Sequence, residues 1–160
     1  MNDIKLLLRI SILLILLFVI AGSTLQAQTD QPFRIKTVDV YDINSAGGVD
    51  FYIVTEFLPY SKDIKYITFT VVPYNRVGDR AKCEINGYDT TYQGKVTGPI
   101  ELSEVSKSYT RSHNWSTAWY NNTISCIKIT RIQIDYMDGT HYTYVKELPL
   151  LYAEGFTQCK

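Results

Sequence analysis

From residue 33 onward, apolar and polar positions alternate with a period of two, and nowhere there is a helical period sustained over a window of about 11 residues. Phe33 to Tyr41 reads as a first strand, with Val38 and Val40 on one face and Ile35, Thr37 and Asp39 on the other, stopping at the turn-rich Asp42 to Gly48. Val49, Phe51, Ile53 and Phe57 then sit opposite Asp50, Tyr52, Val54 and Glu56, which makes the odd positions the core face. Pro59 and Asp63 bracket a turn, after which Ile67, Phe69 and Val71 alternate with Tyr66, Thr68 and Thr70. Pro73 is expected to end that strand, because it cannot donate to a ladder. Tyr74 to Asp79 reads as a loop and Ala81 to Ile85 as a short strand carrying Cys83. Gly87, Gly94 and Gly98-Pro99 read as punctuation between further short segments. Glu101 to Asn114 is polar and is expected to be the longest connection.

The stretch Trp115 to Gly139 holds both tryptophans and the sharpest pattern. Ile127 and Ile129 alternate with Lys128 and Thr130, but Ile132, Ile134 and Tyr136 continue the alternation on even positions. The apolar set would change faces unless a β-bulge near Thr130 or Arg131 absorbs one extra residue. Asp138-Gly139 predicts a type I′ turn, with His141 to Val145 as the returning strand of a hairpin. In the tail, Leu148, Leu150, Leu151 and Phe156 are apolar enough to pack on the domain, whereas Pro149 and Gly155 argue against a long regular element.

Composition agrees with the pattern. The 13 tyrosines all follow residue 27, and Tyr, Thr, Ile and Val favour pleated, half-buried surfaces, so an all-β domain is expected. The amino terminus differs: Lys5 and Arg9 precede an uncharged run from Ile10 to Ala21, then the small and polar Gly22, Ser23 and Thr24. That run suits a secretory signal and falls short of the roughly 20 residues of a spanning helix. Residues 1–27 are read as a signal peptide and 28–160 as a single domain with a short tail from about 148. The expected locale is therefore secreted or periplasmic, with no stable membrane span after cleavage. Removing residues 1–27 takes away Lys5, Arg9 and Asp3 and leaves 14 basic against 15 acidic residues. Without a basic excess there is no electrostatic footprint for nucleic acid.

Three cysteines follow the leader, and export would place them in an oxidising compartment. Cys83 and Cys126 both fall in predicted strands, so a bridge between sheets is the expected disulfide, with buried free thiols as the alternative. Cys159, one residue from the end, is left over as an idle thiol or an intermolecular link.

The segments YITFTVVPYNRVGD, CEINGY, KVTGPI and WSTAWYNNTISCIKITRIQIDYMDGT, in that order, resemble a family of uncharacterised bacterial exported domains over about Ile64 to Thr140. The resemblance implies an antiparallel immunoglobulin-like or fibronectin-like β-sandwich, and it implies no activity. The chain departs from antibody domains: Trp115 and Trp119 lie just before the second cysteine, and Ile124, not tyrosine, stands two residues ahead of Cys126.

Candidate chemistry is sparse. His113 and His141 form no metal spacing, the cysteines form no CxxC pair, and no nucleophile elbow, P-loop or GxGxxG is present. Both histidines are expected at the surface or a strand edge, no cofactor is implied, and no enzyme is expected. A hydrolase without a local motif would require His113 or His141 to meet a carboxylate in a pocket. Trp115, Trp119 and Tyr120, with Tyr92, are candidates to stack on sugar rings, against the alternative that the tryptophans fill the core. Asp89-Thr90-Thr91 resembles an O-glycosylation site of bacterial exported proteins, which makes Thr90 a candidate. The expected function is a non-catalytic exported binding or interaction domain of the bacterial cell envelope. Its partner would be another envelope protein or, in the alternative reading as a carbohydrate-binding module using exposed aromatics, a glycan.

Overall fold

The computed structural model describes residues 31–43, 45–85 and 91–159. Seven strands follow one another: β1 (Phe33–Ile43), β2 (Gly48–Phe57), β3 (Ile64–Asn75), β4 (Tyr92–Ile100), β5 (Tyr109–Tyr120), β6 (Ile124–Tyr136) and β7 (His141–Tyr144). A 3-10 turn at Leu148–Leu151 comes last. The strands form two antiparallel sheets, ordered β1-β2-β5 and β4-β3-β6-β7, so the described chain is an all-β sandwich. The core lies between the sheets, with Phe33, Phe51, Phe57, Phe69, Ile132 and Trp119 among its largest buried side chains.

Where the alternation is regular, the strands sit as their pattern demands. Val49, Phe51, Ile53 and Phe57 of β2 are all fully buried. In β6 the register slips between Arg131, opposite Thr70, and Ile129, opposite Val71. Thr130 is therefore the extra residue of a bulge, and Ile127, Ile129, Ile132, Ile134 and Tyr136 all face the core. A second slip falls at Lys36 of β1. It turns Phe33 and Ile35 inward before it and Val38 after it, where strict alternation had placed Ile35 and Val38 on opposite faces.

Several boundaries differ from the sequence reading. Pro73 lies inside β3, opposite Ile127, because its carbonyl accepts from Ala81 N at 3.0 Å on the side away from β6. A residue's N–H and C=O point to the same side of a strand, so the missing donor costs the β3–β6 ladder nothing. Ala81 to Ile85 forms no strand, and Gly94 and Gly98-Pro99 lie within one continuous strand, β4. At Gly94 a Cβ would come within 2.6 Å of the Trp115 ring, and at Gly98 it would strike the Ile64 carbonyl, so both glycines permit close approach. Tyr109 to Asn114, the end of the stretch expected as a connection from Glu101, belongs to β5, an edge strand whose outward positions are polar. In the hairpin, Gly139 has φ +84°, whereas Asp138 is not in the left-handed region, so the turn is not type I′. Gly139 N instead donates to Tyr136 O at 3.2 Å, and Asp138 accepts from Thr140 N at 2.9 Å and Thr140 Oγ1 at 2.6 Å.

The expected Cys83–Cys126 bridge is not formed. Cys126 is bonded to Cys159, and Cys83 is buried in the core outside any disulfide. Cys126 keeps step with Lys128 and Thr130 rather than with Ile127 and Ile129, so it points away from the core that holds Cys83. The tail reaches it along the larger sheet's edge: β7 pairs only with Ile132–Asp135, and among the described residues no strand covers the rest of that β6 edge. Ala153 N donates to Ile35 O at 3.0 Å, Gln158 Oε1 accepts from Ile129 N at 2.6 Å, and the disulfide pins the end. The tail thus covers an exposed strand edge, a site that otherwise invites pairing with another chain. Among the described residues no helix is long and apolar enough to cross a membrane.

Candidate functional site

Of the aromatic residues singled out in the sequence, Trp119 belongs to the core, and Trp115, Tyr120 and Tyr92 are partly buried against it. Trp119 is 1% exposed and packs against Phe51 and Tyr92. Trp115 is half-buried, its ring stacked on Phe51 at 4.9 Å and seated on Gly94. Between them β5 inserts two extra residues: Val49 faces Trp119 and Phe51 faces Trp115, with Thr117 at φ 53° and its N–H held by Asp50 Oδ1 at 2.6 Å. This bulge turns both indoles inward, so neither they nor the half-buried Tyr120 offers an open platform. Thr90 lies outside the described residues.

His113 also sits on β5, yet it is 8% exposed and contacts Phe57, Phe69 and Trp115. Burial holds its pKa down at about 4 instead of 6.5, with Arg111 adding to the effect. Its Nε2 lies 3.0 Å from Thr55 Oγ1, and Thr55 is fully buried. The pair satisfies two polar groups inside the core and presents neither to a substrate. Among the described residues no three His, Cys, Asp or Glu side chains gather to hold a metal ion.

What the fold does open is a groove of about 430 Å³ at the edge of the four-stranded sheet, lined by Tyr60, Tyr136, Tyr142, Tyr144, Lys62 and Leu150 among others. Tyr142 and Tyr144 stand opposite Ile134 and Ile132, so they occupy the inner face of β7. Tyr144 is buried, but Tyr142 is 48% exposed, because β7 lies at the end of its sheet beyond the cover of the smaller one. The two rings are 4.5 Å apart, and Tyr60 stacks on Tyr136 at 6.0 Å. Burial, and then Tyr60 beside it, raise the Tyr136 pKa, so its hydroxyl stays protonated. Leu150, on the 3-10 turn, is exposed on the far wall.

Polar groups on the rim are fixed in advance. Lys62 Nζ lies 2.8 Å from Asp138 Oδ2 and donates to Thr140 Oγ1 at 2.9 Å, while resting 5.4 Å from the centre of the Tyr136 ring. Lys62, then Thr140, lower the Asp138 pKa to about 2. The neighbouring loop is tied down by Asp63, whose Oδ1 accepts from Leu102 N, Ser103 N and Ser103 Oγ and whose carbonyl accepts from Met137 N at 2.9 Å. A wider groove of about 930 Å³ lies between Val40, Tyr41 and the turns around Asn75 and Asn122. Its Asn75 Oδ1 is committed to Val77 N and Asp79 N, and it contains a single aromatic ring.

Sequence reasoning placed Lys62 in a turn and Tyr136, Asp138 and His141 in a hairpin, but gave no reason to join them. The available signal was Tyr142: an aromatic on the core phase of a short terminal strand. Compared with protein-family models, with curated proteins and with solved structures, the chain matches none.

Proposed function

We propose that this chain is an exported, non-catalytic binding domain of immunoglobulin-like type, which holds a component of the bacterial cell envelope in the tyrosine groove beside β7. The observation that carries the reading is Tyr142, a ring on the inner face of the edge strand β7 that stands 48% exposed in the same groove as Lys62. Concave, mostly aromatic sites with a few placed polar groups are the usual form of a ligand site, and about 300–1,000 Å³ is their usual size.

The strand order supports the immunoglobulin-like part. β1, β2 and β5 stand where strands A, B and E stand in such sandwiches, β3, β6 and β7 where C, F and G stand, and β4 takes the C′ place beside C. Export is supported by the amino-terminal pattern, by the resemblance over Ile64 to Thr140, and by the Cys126–Cys159 disulfide, which suits an oxidising compartment.

The test is to place a photo-crosslinking phenylalanine analogue at position 142, and separately at the 81% exposed Val77 in the wider groove, in producing cells. A discrete adduct is expected from position 142 and not from position 77. No adduct from 142, or equal trapping at both, defeats the reading.

A further inference from the structure

We infer that the occupant of the tyrosine groove is a neutral saccharide chain, with Tyr142 as the platform for one sugar face and the Lys62–Asp138 pair reading two neighbouring hydroxyls. The inference rests on the binding reading above and gives it a ligand class. Three observations lead to it.

The first is the lining. Of the nine residues around the groove only Leu150 is aliphatic, and the rest carry hydroxyls, an amide, an imidazole or an ammonium group. A surface built for an apolar peptide anchor would reverse that ratio. A sugar instead offers a hydroxylated edge to hydrogen-bonding side chains and a C–H face to an aromatic ring, whose negative π face attracts the weakly positive C–H groups. Tyr142 is the ring with an open side to receive it: Tyr144 and Tyr136 are buried and Tyr60 is stacked on Tyr136, whereas Tyr142, packed on Tyr144 at 4.5 Å, is still 48% exposed.

The second is the rim pair. Lys62 has three N–H donors and gives one to Asp138 and one to Thr140, so one remains. Both Thr140 bonds to Asp138 fall on Oδ1, which leaves acceptor capacity on Oδ2. A donor and an acceptor therefore stand side by side, 2.8 Å apart, with Lys62 and Thr140 themselves lining the groove. Adjacent hydroxyls on a pyranose ring present the complementary acceptor and donor at a comparable spacing. Because the pair is held by Thr140 and by the ring of Tyr136, little ordering remains to oppose binding.

The third is charge. The Lys62 ammonium in the lining is already matched by the Asp138 carboxylate 2.8 Å away, so it is not left as an unpaired cation for a uronic acid or a phosphate. Selection falls on neutral sugars.

The full mature domain would be titrated by calorimetry with neutral hexasaccharides of glucose, mannose, xylose and N-acetylglucosamine, and with polygalacturonate as the acidic comparison. At least one neutral chain is expected to bind, and polygalacturonate to bind less well. Tyr142→Ala should weaken that binding at least about tenfold, about 1.4 kcal/mol. Tyr142→Phe, which keeps the ring, should bind at least about fivefold tighter than the alanine variant, and Asp138→Asn should lower affinity without removing the stacking face. Melting curves of the variants identify any that fail to fold. Absence of binding by every neutral chain, binding indifferent to Tyr142→Ala, or preference for polygalacturonate overturns the saccharide assignment. If the crosslink from position 142 lands on a protein while no saccharide binds, the groove stands as a binding site and only the ligand class falls.

Discussion

The buried histidine makes the stability of this domain depend on pH in a window that few other groups share. In the fold His113 titrates at about 4, against 6.5 as its ordinary value, because it is enclosed by Phe57, Phe69 and Trp115, with Arg111 nearby. The folded state favours the neutral ring, so on acidification the unfolded chain takes up the proton first and stability falls between pH 6.5 and about 4. One pH unit of displacement corresponds to about 1.36 kcal/mol, so the whole displacement is worth about 3 kcal/mol, of which about 2 kcal/mol is lost between pH 7 and about pH 4.5. Asp138, held at about 2 chiefly by Lys62, changes its contribution only further down the scale. The assay is urea unfolding by far-ultraviolet circular dichroism at both pH values, on the wild type and on His113→Gln, which keeps a hydrogen-bonding group for Thr55 but does not titrate. The wild type is expected to lose about 2 kcal/mol more than the variant on acidification. Equal losses in the two proteins would show that His113 is not a buried neutral base and refute the reasoning.

Three further outcomes follow from the packing. Cys159→Ser opens a loop spanning 33 positions, which the chain-entropy model values at about 4 kcal/mol; chemical unfolding should show that loss, and a thiol reagent should find Cys83 only after unfolding. Gly94→Ala drives a methyl into the Trp115 ring, so a cost of about 1–3 kcal/mol is expected, read as a lower urea midpoint with altered tryptophan fluorescence; an unchanged midpoint would mean that Trp115 does not rest there. Deleting Thr130 removes the bulge and turns one half of the β6 isoleucines to solvent, so circular dichroism should show no cooperative transition, whereas Thr130→Ala should still fold.

How much of this was legible locally varies from strand to strand. In β2 and β6 the period of two fixed which side chains are buried, and the break in phase after Ile129 located a bulge before any partner strand was known. Asp138-Gly139 marked the hairpin, although the capture of the Asp138 carboxylate by Thr140 and Lys62 selected a different turn. β5 was hidden because an edge strand has little to bury: of its inner-face positions only His113 and Trp119 are buried, Tyr109 and Arg111 are exposed, and the bulge at Thr117 puts the tryptophans out of ordinary phase.

Pairing depends on what lies across the sequence, and local pattern carries no record of that. Alternation implied that Cys126 points outward with Lys128, but only the course of the tail past Ile35 and Ile129 brings Cys159 to it. Gly94 looked like a break because the ring that requires it, Trp115, lies on the facing sheet. The groove is the extreme case, since Tyr60 and Lys62 come from the turn before β3 and Tyr136 to Tyr144 from the last hairpin. The amino-acid order determined by itself that the chain is a sandwich of half-buried strands, because side-chain alternation is a property of each strand alone. Which edges are closed, which cysteines meet and where an aromatic face stays open were decided only when the sheets stacked, because those depend on how far each strand extends past its neighbour.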